Sequence, residues 1–230
     1  MIWTPPPPRP GHPYYMHDAI YAQPGAIRSV LRSNAGILKT VAAHLKTADR
    51  ILLSGIGTSW HACLVGELLL AQIGGLGHRV RAFHSFEFRN YWSDPDPKTA
   101  VIVVSHRGTK RFSLEALEKA KTGGGIGVAI AGVGGGEGLD IADFLLRTVA
   151  QESSAAHTVS YTTALAILAA LAAILGGDEK FAAALEAVPD QMAVLLGQAS
   201  WEEMTPRFRD RRCYYFVGGG PNTATAYEAA

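Results

Sequence analysis

A chain of 230 residues has room for one α/β domain and part of another, and 48% hydrophobic against 18% charged content marks a globular protein with a sizeable core rather than a disordered one. A net charge of +1 offers no bulk attraction to nucleic acid or to an anionic membrane, so neither is expected as a partner. Two cysteines, Cys63 and Cys213, without a CxxC pair, make no disulfide framework, and Met1 to Pro8 lacks the basic and apolar segments of a secretory leader, so a reducing, cytoplasmic setting is expected.

Residues 1–15 are Pro-rich and predict an extended, solvated tail. From Met16 to Leu45 apolar residues recur near a helical period, with a break at Pro24 and Gly25 that predicts two helices. Strand and helix signals then alternate. Strands are expected at Ile51–Ser54, Val80–His84, Ala100–Ser105, Ile126–Ala131 and Phe144–Val149. Between and after them come helical stretches at Trp60–Ile73, one turn near Glu87–Trp92, Ser113–Lys121, a short piece at Leu139–Asp143, and Ser160–Leu175. The most apolar run, Ala164–Leu175, is 12 residues, too short to span a bilayer, and reads as a core helix. This alternation predicts an α/β fold: a five-stranded parallel sheet with helices on both faces.

Residues 178–209 predict one or two further helices. Cys213–Gly220 then repeats the form of the first strand and its glycine loop, and Thr223–Ala230 begins a helix. Residues 210–230 are accordingly expected to be the incomplete start of a second unit, following a first domain over 16–209.

Two segments carry most of the chemistry. Leu52–Ser59 and Val101–Lys110 are each an apolar run that stops in Gly, Ser and Thr and opens into a helical stretch. Such loops place hydroxyls and backbone N–H groups at a helix N-terminus, where the helix dipole favours an anion. At the carboxyl edge of one parallel sheet, two of them can converge on a phosphate-bearing ligand. A dinucleotide reading of Gly55-Ile56-Gly57 fails, because Trp60 stands where a third glycine is needed. The Gly134-Gly135-Gly136-Glu137-Gly138 run also lacks that pattern and reads as a flexible connection.

Four stretches stand in a telling order: Met16–Pro24, Gly55-Ile56-Gly57-Thr58-Ser59, Glu87-Phe88-Arg89 and Gln151–Thr163. Together they resemble the sugar isomerase (SIS) domain family, nearest the isomerase half of glucosamine-6-phosphate synthase, over about Met16 to Ala230. The third is similar to that family's Ser-Glu-Phe-Arg motif, with Phe86 at the Ser position. The resemblance implies a flavodoxin-like fold, usually two such domains per chain, and a homodimer. It also implies a phosphorylated sugar held by Gly57, Thr58 and Ser59, by Ser105, His106, Arg107, Gly108, Thr109 and Lys110, and by Ala155, Ala156 and His157. The implied activity is that of a hexose-phosphate aldose–ketose isomerase and aminotransferase, or a deaminase, without the glutaminase half, since Ile2 stands where that half has its Cys. A non-catalytic phosphosugar sensor is the alternative.

The departures matter as well. The family's second loop reads Ser-Gln-Ser-Gly-Glu-Thr; here it is Ser105-His106-Arg107-Gly108-Thr109-Lys110, so two hydroxyl positions have become cations, and Val159 replaces a Lys. The family's catalytic Glu and His would lie beyond the position matching Ala230, so no catalytic residue is assigned and this stretch alone is expected to be inactive. Blander readings stand beside these. His106, Arg107, Lys110 and Arg111 could be a solvated helix start, and His157 a structural residue. His61 and Cys63 read as packing, and Glu152 and Glu87 as groups that hold backbone. His17, His78 and His84 show no metal-ligand spacing, so neither a metal nor a cofactor is expected.

Overall fold

Strand β3 (Thr99–Val104) is apolar on both sides and buried at every position, the mark of a mid-sheet strand covered on two faces. The computed structural model describes residues 4–198 and 200–230, with backbone only for Glu137. On either side of β3 lie β1 (Arg50–Gly55) and β4 (Ile126–Val133), with β2 (Val80–His84) and β5 (Phe144–Ala150) at the edges. All four pairings are parallel, in the order β2-β1-β3-β4-β5. This is the flavodoxin-like order, and its winding direction reverses between β1 and β3. Ligands of such sheets bind beyond the carboxyl ends of the strands at that reversal.

Alternation along the strands divides the core in two. Ile51, Leu53, Ile102, Val128, Ile130 and Leu146 pack on α1 (Tyr15–Thr47), α2 (Thr58–Leu68) and α5 (Val159–Gly176). Leu52, Val101, Val103 and Ala129 face the other way, onto α3 (Ser85–Tyr91) and α4 (Arg111–Thr122). The five strands and the two-sided cover therefore match expectation.

Helix α5 is 18 residues, longer than the 12-residue apolar run at its centre. By length and composition alone it would cross a membrane, but most of it is buried against α1, α2 and the sheet, so it is the central core helix. Two more helices follow, α6 (Glu179–Leu196) and α7 (Ser200–Phe208), and a last one, α8 (Asn222–Ala229), packs on α2.

Four local expectations are corrected. The break at Pro24 does not occur: α1 runs unbroken over 33 residues. Pro24 has no N–H to give the Ile20 carbonyl, but the Gln23 side-chain amide donates to that carbonyl at 2.8 Å and fills the gap. Cys213–Val217 is no strand; it finds no backbone partner in the sheet, and Tyr215 and Val217 are 88% and 95% exposed. The piece expected at Leu139–Asp143 is a single 3-10 turn at Glu137–Leu139. The single turn near Glu87 is a seven-residue helix, α3.

Candidate functional site

The loop after β1 is set by glycine. A Cβ on Gly55 would lie 2.5 Å from the backbone of Ser59, so only glycine lets α2 start this close to the strand end. Gly57 then takes φ +57° as the residue before α2. The turn brings Thr58 and Ser59 to the wall of a cleft of about 270 Å³.

The loop after β3 forms the opposite wall. Ser105 is buried, and its N–H donates to the Ile130 carbonyl at 3.0 Å, which carries the sheet ladder one residue further. Gly108 has φ +64°, and a Cβ there would strike the Gly136 nitrogen at 2.8 Å. Contact is close because Gly136 donates its N–H to the Arg107 carbonyl at 2.9 Å. The glycine run near 135 is thus packed against this loop and is no loose connection.

Three helices begin at the cleft, and they differ at their first turns. Neither α2 nor α4 has a side-chain cap. In α2 the Ser59 and Trp60 N–H groups turn back to the Ile56 and Gly57 carbonyls at 3.2 and 2.7 Å, and in α4 that of Ser113 to the Lys110 carbonyl at 3.0 Å, so the donors offered to an anion are those of Thr58, Arg111 and Phe112 at the very start of each helix. Helix α5 is different. The Glu152 carboxylate accepts the backbone N–H groups of Thr158 and Val159 at 3.1 Å each and of Ser160 at 2.7 Å. Burial opposes its charge, but bonds from His157, Ser160 and Val159 overcome this and hold it down to about 2. Glu152 holds backbone, as expected. Glu87 does not reach the cleft: it is exposed, and its motif neighbour Phe88 is wholly buried in the core under α3 and α4.

His106 lies at the cleft floor. Its Nδ1 is 3.4 Å from the Thr148 hydroxyl, and its Nε2 is buried without a protein partner. Burial chiefly, then the neighbouring His157 and Arg107 against the pull of Glu152, lowers it to about 4, so it is neutral near pH 7. His157 meets it edge-on, with ring centroids 5.3 Å apart. Tyr161 closes one side. Burial, and then the charge of Glu228, pushes its phenol up to about 12, which keeps the hydroxyl a proton donor. Below the cleft, the buried hydroxyls of Ser54, Ser85 and Ser113 form a chain at 2.9 and 3.1 Å that ties β1, α3 and α4 together.

Of the twelve residues named from the sequence, eight line the cleft: Thr58, Ser59, Ser105, His106, Arg107, Lys110, Ala155 and His157. Gly57, Gly108, Thr109 and Ala156 do not; the two glycines shape the loops, and Thr109 and Ala156 are exposed beside them. Arg111 is turned away into an ion pair with Glu115 at 2.7 Å. Cys63 is fully buried and its thiol is driven upward by that burial, so it is packing. His61 does more than pack: its Nδ1 pairs with Glu228 at 2.6 Å and joins α2 to α8. Sequence reasoning missed Thr148, Ser160 and Tyr161, which also line the cleft. It also foresaw no metal-ligating group, whereas His106, Glu152 and His157 present donor atoms within 4.8 Å of one another. Their positions in β3's loop and around the turn into α5 give no spacing to read.

Comparison with known proteins places this geometry. The chain matches the SIS domain family over residues 44–174. It is 33% identical to a glutamine–fructose-6-phosphate aminotransferase of Thermococcus kodakarensis over 96% of its length, and it spans only 38% of that relative. Among solved structures it superposes on the C-terminal domain of glucosamine-fructose-6-phosphate aminotransferase from Francisella tularensis with TM-score 0.80 at 19% identity, covering 96% of this chain and 66% of that one. It also superposes on tagatose-6-phosphate ketose/aldose isomerase from Escherichia coli with TM-score 0.74 at 20% identity, covering 99% and 65%. With more than half its length inside the family match, and with that fold and strand order, the chain belongs to the SIS domain family.

Proposed function

We propose that the cleft binds the phosphate of a phosphorylated hexose and that the protein belongs to a hexose-phosphate aldose–ketose isomerase, aminotransferase or deaminase. One observation carries the reading: two helices without side-chain caps, α2 and α4, begin at the sheet's reversal point around one cleft, while the third, α5, has its donors filled by Glu152. The anion is thereby directed to Thr58, Ser59, Ser105 and the start of α4, away from α5. Arg107 and Lys110 at the rim add charge of the right sign. His106, His157 and Tyr161 are left to face the sugar, with a neutral imidazole and a phenol hydroxyl able to hydrogen-bond its oxygens.

The curated relatives are named for amino transfer to fructose 6-phosphate, and this chain spans little more than a third of the first of them. The reaction of the whole protein is part of the proposal; what these residues supply is the binding of the phosphosugar. Titration calorimetry with fructose 6-phosphate, glucosamine 6-phosphate and unphosphorylated fructose tests it. The two phosphosugars should bind and fructose should not. Ser59→Ala and Ser105→Ala should each weaken binding by about three- to tenfold, the value of a hydrogen bond or two. Equal affinity for fructose, or no loss in both variants, would remove the reading.

A further inference from the structure

His106, Glu152 and His157 stand in one corner of the cleft, one donor atom from each lying within 4.8 Å of the other two. His157 Nδ1 is 3.8 Å from Glu152 Oε1. Oxygen and imidazole donors around a tetrahedral metal with bonds of about 2.0–2.2 Å lie roughly 3.3–3.5 Å apart. A turn of the His157 ring closes this gap; besides Glu152, the ring's hydrogen-bonding neighbour is the Ser160 hydroxyl at a loose 3.4 Å.

Four further features suit a ligand here. The Nε2 atom of His106 is buried and has no protein partner. An orphaned polar atom of this kind asks for one. On the other side of the ring, Nδ1 faces the Thr148 hydroxyl at 3.4 Å. An Nδ1–H donated to that oxygen leaves the lone pair on Nε2, and this is the outer-shell bond that fixes a metal-binding imidazole. The ring also lies in a bed that only glycine provides, since a Cβ on Gly132 would meet its Cε1 at 2.6 Å and its Nδ1 at 2.7 Å. Glu152, finally, is fixed in place by three backbone N–H groups, of which only that of Ser160 goes to Oε1, so this oxygen keeps a lone pair toward His157.

We propose that His106, Glu152 and His157 form a binding site for a first-row divalent transition metal, Zn²⁺ or Co²⁺ in class, with its open coordination position facing the cleft. Two imidazoles and one carboxylate are the donor set that such ions select over Mg²⁺ or Ca²⁺. Its occupation needs no sugar. That a hydroxyl or carbonyl oxygen of the sugar completes the coordination rests on the phosphosugar reading above.

The test uses the full chain, freed of metal with a chelator. It carries His12→Ala, His17→Ala and Cys213→Ser, because His12, His17 and Glu202 form a second cluster and Cys213 is an exposed thiol. Co²⁺ alone is titrated and followed by its visible absorption. One equivalent should bind with the strong bands of a four- or five-coordinate ion, and Zn²⁺ should displace it. His106→Gln and His157→Asn, each checked for an unchanged circular dichroism spectrum, should weaken binding at least 100-fold. Should either lose its fold, Thr148→Val removes only the hydroxyl behind His106 and should cost about 10–100-fold. No uptake, or uptake that survives these substitutions, overturns the site. Phosphosugar affinity is measured separately with chelator present: its absence beside intact Co²⁺ bands removes the phosphosugar reading alone, and the converse removes the metal site alone.

Discussion

The Glu152 carboxylate accepts the Ser160 backbone N–H at 2.7 Å across the turn that enters α5. With the bonds from Thr158 and Val159, one side chain fills the positive end of the central helix. Replacing it with Gln keeps the shape but puts an uncharged amide, with its own donors, against three donors. Glu152→Gln should cost about 2 kcal/mol, the scale of a buried charge-assisted bond that is lost. Urea unfolding of the metal-free protein checks it as a lower midpoint with unchanged slope. A change below about 0.5 kcal/mol would mean that water caps α5 equally well.

The same carboxylate sets an acid limit. Its folded value is about 2, below an ordinary glutamate near 4.5. A depressed carboxylate contributes stability that is fully present above its unfolded value and is lost as pH falls through its folded value. Metal-free protein should therefore lose stability between about pH 4.5 and 2, and in Glu152→Gln that part of the slope should shrink. Parallel pH profiles for the two proteins would show that other carboxylates govern acid unfolding.

A double-mutant cycle tests the splice in α1. If the Gln23 amide replaces the N–H that Pro24 lacks, Gln23→Ala should cost about 1 kcal/mol in the parent chain. In a Pro24→Ala background the regained N–H serves Ile20, and the same substitution should cost much less. Equal costs in both backgrounds would show that Gln23 acts only through packing.

Gln23 marks one place where the sequence stops being legible. Strands could be read where an apolar run is cut off by glycine or hydroxyl residues; the flavodoxin-like arrangement was implied only by the family resemblance, because right-handed crossovers fix the face on which each helix packs and not the strand order. The loops at 57–59 and 105–110 could be read for the same reason. Pro24 misled because its repair is made by a neighbour whose type alone gives no sign of it. Cys213–Val217 misled because an apolar run becomes a strand only through backbone pairing, which the sequence does not reveal. His106, Glu152 and His157 went unread as a group because the loop after β3 and the turn into α5 meet only in space.

The altered second loop gives the sharpest functional prediction. Arg107 and Lys110 stand at the cleft rim, at positions where the family resemblance implies hydroxyls, and both are exposed. If they reach the bound anion, they form charge-assisted bonds about twice as strong as those of a hydroxyl, and Arg107 can grip two phosphate oxygens at once. A ligand with a second phosphate or a carboxylate then gains more than a hexose monophosphate. Arg107→Ser and Lys110→Thr should each weaken binding of a hexose bisphosphate by about tenfold and of the monophosphate by less. The difference should shrink as salt rises, because exposed charges are screened over about 10 Å at 0.1 M. The opposing picture has both side chains in solvent, with Ser105 and the first-turn N–H groups of α4 holding the phosphate alone. It predicts unchanged affinity for every ligand in both variants, and a loss only with Ser105→Ala. Titrating the three variants with hexose mono- and bisphosphates at two salt concentrations decides between them.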